Sequence, residues 1–127
     1  MSEIRATTIS NAAGTGPITM TGQYAAKAWV NFNGTGTVAI RQSGNVSGIT
    51  DNGTGNYTVN FTTAMPDVDY LVIGTTSPST GITDIPRATL VLSYGTAPTT
   101  SARKILTGDS AQGNFQDCDY VNVAIFR

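Results

Sequence analysis

The sequence predicts an all-β fold: an antiparallel β-sandwich of about seven or eight strands behind a Thr/Gly-rich N-terminal strap. Three observations carry that prediction. Between Lys27 and Asp67 an alternating apolar strand twice meets a tight Gly/Asn turn, in KAWVNFNGTGTVAIR and again in ITDNGTGNYTVNFTTAMPD. No stretch of about ten residues shows a helical apolar period. The polar residues are mostly Thr, Asn and Ser, which suit solvated strand faces and turns better than helices.

Residues 1–23 form the strap. Their larger apolar side chains are few, including Ile4, Ile9, Ile18 and Met20, and Gly14, Gly16 and Pro17 disfavour a helix. Such a segment is either a floppy tail or a strap that gains order against a neighbour; on the second reading, which is preferred, Ile9 and Ile18 meet an apolar surface on another subunit. Residues 24–127 form the sandwich. Ala28, Val30 and Phe32 share one face of the first strand, and Trp29, Asn31 and Asn33 the other. Asn33–Gly36 is a hairpin signal, because Asn and Gly tolerate positive φ. Thr37 to Arg41 returns with Val38 and Ile40 inward. Gly44, Asn45 and Gly48 then predict a bent or bulged short strand around Val46 and Ile49. Asp51–Asn56 is the strongest turn, and Tyr57, Val59 and Phe61 after it read as core.

Pro66 takes the chain out of the sheet, since proline donates no ladder hydrogen bond. Strands follow over Tyr70–Thr75, Ala88–Tyr94 and Ala102–Thr107, with Ala88, Leu90, Leu92 and Tyr94 on one face. Loops over Ser77–Pro86, Gly95–Thr100 and Gly108–Gln116 separate them. The chain closes with Tyr120–Arg127, too apolar to fray, which belongs inside a sheet or against a partner.

Composition excludes more than it selects. The chain has 127 residues, seven basic and eight acidic, and only 12% of it is charged, about half the usual share. That leaves little to neutralise a phosphate backbone, so nucleic acid is not an expected partner. There is no histidine and the one glutamate is Glu3, so most common catalytic centres lack their residues and no enzyme activity is expected. A two-carboxylate glycosidase would have to draw on the aspartates alone. Asp67 with Asp69, and Asp117 with Asp119, have a spacing able to hold a hard cation, yet they read first as solvated turn carboxylates, and neither metal nor cofactor is expected. GTGTV and GTGNY are turns, since no helix or lysine follows as a phosphate cradle requires. Cys118, the lone cysteine, reads as a small hydrophobe whose two flanking carboxylates disfavour the thiolate. The N-terminal residues MSEIRATTISN carry no signature of a secretory leader, and no apolar run approaches the roughly 18 residues of a membrane span.

Candidate binding residues are correspondingly few. Trp29 alternates away from the core, where an indole reads first as packing at a subunit interface or second sheet, next as ordinary local packing, and last as stacking on a sugar. Phe126, near the end of the apolar terminal strand, is a second candidate for the interface. Tyr94 and Asn114, at or in loops, are candidate receptor contacts, with turn structure as their plain alternative.

The run KAWVNFNGTGTVAIRQSGNVSGITDNGTGNYTVNFTTAMPD, with the following YLVIG and the terminal VNVAIFR, resembles the C-terminal tip domain of tailed-bacteriophage and prophage tail-fibre proteins. The resemblance rests on Tyr24, Lys27, Ala28, Trp29, Val30, Asn31 and Phe32, on Asn45–Ser47, on Asp51, Gly53, Thr54, Gly55 and Tyr57, and on the block from Phe61 to Pro66. It implies a homotrimer in the virion, extracellular after host lysis, that attaches without catalysis to a host-surface glycan or protein beside other virion proteins. Two readings from other classes stand beside it: a head-decoration or tail-assembly protein that binds no receptor, and a carbohydrate-binding module of a cellular protein.

Overall fold

The computed structural model describes residues 24–78, 88–92, 95–109 and 114–127, with Ala13 alone before them. Its regular elements are nine strands: β1 (Ala26–Asn33), β2 (Ala39–Gly44), β3 (Val46–Asp51), β4 (Asn56–Phe61), β5 (Leu71–Pro78), β6 (Ala88–Leu92), β7 (Ala102–Asp109), β8 (Asn114–Phe115) and β9 (Cys118–Phe126). They form two antiparallel sheets. The front sheet runs β2-β1-β9-β5 and the back sheet β3-β4-β7-β6, with the two-residue β8 added to β7. This is the sandwich the alternation predicts. The strap and the candidates Ile9, Ile18 and Tyr94 lie outside the described residues, as does most of the loop expected over Ser77–Pro86.

The two inner faces supply the core. Ala28, Val30 and Phe32 of β1 and Val121, Val123 and Ile125 of β9 meet Tyr57, Val59 and Phe61 of β4 and Ile105 of β7, all buried. Each set sits at every second residue, as a pleated strand buried on one face requires. The apolar terminal strand takes an interior place between β1 and β5, which leaves no fraying edge at β9.

Each end of the sandwich is closed by one aromatic side chain. At the end where the chain enters, Tyr70 packs edge-to-face on Phe61 at 5.9 Å between ring centres. Its hydroxyl donates to the carbonyls of Thr99 and Ala102, at 3.0 and 3.2 Å. Asn45 staples the same end: its amide donates to the Lys27 and Thr63 carbonyls and accepts from the Thr63 N–H. A left-handed φ of 54° at Asn45 turns the chain from the front sheet into the back one.

At the far end Tyr57 packs edge-to-face on Phe32 at 5.2 Å. Its hydroxyl lies 2.9 Å from the Gly34 carbonyl oxygen and 2.6 Å from the Asp117 carboxylate. Asp117 also accepts the Gly55 N–H at 2.7 Å, so one carboxylate joins the β3–β4 turn to the approach to β9. Gly55 has φ of 61°, and a Cβ there would fall 2.3 Å from the Thr107 carbonyl oxygen. No other residue fits both demands.

Ile40, expected inward, pairs with the buried Phe32, yet on an edge strand it is 38% exposed. The pairing of β1 with β2 shifts between Asn31 and Phe32, and Val38 is the residue of this stretch that packs on the core. Two expectations need correction. The Gly108–Gln116 loop contains β8. The Gly95–Thr100 loop lies at the end near Tyr70, away from β8, so these two loops, expected together at a distal end, do not share one.

Tyr57→Phe removes one hydroxyl and leaves its acceptors short of a donor. We expect it to cost about 1–3 kcal/mol in urea unfolding with an unchanged denaturant slope. A loss of only a few tenths would show that the Tyr57 hydroxyl does not hold the far end together.

Candidate functional site

The inner faces are filled, so any site lies on an outer face, and the front sheet offers one. Pairing register places Trp29 of β1 between Gly44 of β2 and Ala124 of β9, with Ile73 of β5 opposite Ala124. These four residues make a row across the strands. Gly44 leaves room for the indole, because a Cβ there would stand 2.4 Å from Trp29 Nε1. The indole therefore leans over β2, and between it and Ile73 a shallow groove of about 420 Å³ opens over Ala124. Trp29 is 41% exposed and Ile73 50%.

The next row is polar. Gln42, Asn31, Asn122 and Thr75 stand opposite one another across the four strands. The Asn31 amide donates to Asn122 Oδ1, and the Asn122 amide donates to Thr75 Oγ1 at 3.2 Å. This ladder forms one end of the groove and ties the three strands that line it. Among the described residues no charged side chain lines the groove. One row further, Arg41 caps the Tyr120 ring with its guanidinium carbon 4.1 Å from the ring centre. Trp29 is the aromatic surface of the groove.

Toward the chain's entry the same face continues as a corner lined by Tyr24, Asp69, Leu71, Phe126 and Arg127. Phe126 opposes Leu71 on one side and Ala26 on the other. The Arg127 guanidinium bonds the Asp67 carboxylate, which holds that carboxyl below its usual range. Asn114 lies elsewhere, exposed on β8 at the far end beside Phe115, which is 57% exposed. Trp29 and Phe126 therefore share a face, and Asn114 belongs to a separate rim.

The remaining candidates for chemistry serve structure. Asp117 and Asp119 accept hydrogen bonds from Tyr57, Gly55 and Thr35, and Asp67 takes the Asp69 N–H as well as Arg127. Among the described residues no three Asp, Glu or Cys side chains gather as a metal site. Burial, with the Asp117 carboxylate next, raises the Tyr57 hydroxyl pKa far above its usual value, so it stays protonated as a donor. Arg103 faces inward beside Val59 at 8% exposure, with its Nε lacking a hydrogen-bond partner among the described residues. Sequence reading found Trp29 but missed its partners. Asn31 and Asn122 lie 91 positions apart, and only the strand register brings them together.

Searches against protein-family models, curated proteins and solved structures found no match for this chain.

Cys118 is fully buried, and burial pushes its thiol pKa up, with the Asp117 and Asp119 charges adding to the rise. The folded protein should react with a disulfide reagent at pH 8 only as fast as it opens, and rapidly once unfolded in guanidinium. Prompt labelling of the native state would show that the thiol is accessible.

Proposed function

We propose that this chain is a non-enzymatic attachment module, the tip domain of a phage tail fibre, which binds a host-surface glycan in the virion's extracellular phase. The observation that supports it is the outer face of the front sheet, where, among the described residues, exposed aromatic and aliphatic side chains lie beside uncharged amides. Binding surfaces for neutral polar ligands have this make-up: apolar area for affinity and a few fixed hydrogen-bonding groups for orientation. The resemblance of residues 24–67 to fibre tips points the same way, and Asn114 with Phe115 offers a second contact at the far rim.

A second reading has its own observation. Tyr24, Leu71 and Phe126 extend the apolar area to the chain's entry, as a face covered by neighbouring copies does. On that reading the chain is a structural virion protein, and it binds no receptor.

Labelled protein applied to a panel of bacterial strains separates the two. The attachment reading expects binding to some strains that mild periodate oxidation of surface sugars abolishes and protease shaving leaves intact. Binding to no strain, with label along the capsid or tail tube of intact particles, would favour the structural reading. Native mass gives the assembly: a homotrimer of 13.2 kDa chains weighs about 40 kDa.

A further inference from the structure

We infer that the front-sheet groove seats a neutral oligosaccharide, with one sugar ring stacked on Trp29 and its hydroxyls bonded to the Asn31–Asn122–Thr75 ladder. This rests on the glycan-attachment reading and names the seat and the ligand class. The chemistry of the lining selects the occupant. An indole wall over a methyl floor, Trp29 and Ala124, suits the C–H face of a pyranose. The ladder carries its bonds in one direction, Asn31 to Asn122 to Thr75, and so, among the described residues, ends in an amide oxygen on Asn31 and the Thr75 hydroxyl proton. A sugar hydroxyl both donates and accepts, so it can complete either end.

Charge narrows the class further. Among the described residues the lining has no Lys or Arg to pair with a uronate, sialate or phosphate and no carboxylate to hold an amino sugar's cation. The ladder spans two strand spacings, about 9.5 Å, a reach suited to hydroxyls on two successive rings. The ligand therefore runs across the strands, and a neutral disaccharide should bind better than its monomer.

Trp29 is the sole tryptophan, so its emission reports on the groove directly. Neutral oligosaccharides of glucose, galactose, rhamnose and N-acetylglucosamine, with sialyllactose as an anionic comparison, would be titrated into the full chain. Attachment to periodate-sensitive strains would be measured in parallel. The inference expects a saturable emission change with a neutral oligosaccharide and none with sialyllactose. Thr75→Val and Asn122→Ala should each weaken binding by about tenfold. Gly44→Val, whose Cβ would stand against the indole, should weaken it as much or more, with its fold verified by thermal unfolding.

If wild type attaches to periodate-sensitive strains while folded Trp29→Ala and Asn122→Ala variants attach equally well, the groove is not the seat and the attachment reading stands. If wild type attaches to none, that reading falls and the inference with it. Trp29 shielded from iodide in step with self-association would mean that a second copy occupies the groove, which also overturns the inference.

Discussion

The Tyr57 hydroxyl is the constraint on which the far end of the molecule depends. β4 carries it from the back sheet to the Gly34 carbonyl in the front-sheet hairpin and to Asp117 before β9. Dispersion between the inner faces holds the sheets together but fixes no end-to-end register, because apolar contacts are non-directional. A hydrogen bond buried in that interior is directional and costly to lose. Phe32 against the Tyr57 ring sets the depth at which the hydroxyl sits, and Gly55 lets the neighbouring turn approach closely enough to share Asp117. Asp117 and Asp119 are thus engaged in joining strands and turns at this end.

That division of labour shapes the outer surface. Asp67, Asp117 and Asp119 are engaged by Arg127, Tyr57, Gly55 and Thr35, and Arg41 is engaged by Tyr120. The middle of the front sheet is left to small, apolar and amide-bearing residues. Its groove is the consequence of side-chain sizes in one row: nothing at Gly44, a large ring at Trp29, a methyl at Ala124 and a branched chain at Ile73. The strands beneath are tied by the core of the sandwich.

Much of this architecture was legible before the structure. The alternation of Ala28, Val30 and Phe32 and of Tyr57, Val59 and Phe61 reports burial on one face, which is a local property of a pleated strand. The same logic marked Trp29 as facing away from the core. It did not show the extra residue in β2 near Arg41, where the pairing with β1 shifts, since a bulge is invisible in composition. The groove was legible only through Trp29. Its other members, Asn122, Thr75 and Ile73, come from β5 and β9, whose pairing with each other and with β1 is set by the order of strands in the sheet. Arg103 read as one more polar residue of a strand, and its inward position follows from the register with Val59.

The two Asn-Gly dipeptides at the hairpin tips differ in how they should age. Succinimide formation, the first step of spontaneous deamidation, needs the glycine nitrogen to swing onto the asparagine side chain. At Asn33-Gly34 that nitrogen donates to the Cys118 carbonyl at 2.9 Å, and the Asn33 amide is itself bonded to Thr35. At Asn52-Gly53 the nitrogen donates to the Asp51 carboxylate and the Asn52 amide to Thr58 Oγ1, and both bonds lie exposed to water. Chemical wear over long storage therefore falls first on Asn52, as peptide mapping of an aged sample would register. The new carboxylate would appear on an exposed turn of the back sheet, and the buried junction around Gly34 would be spared.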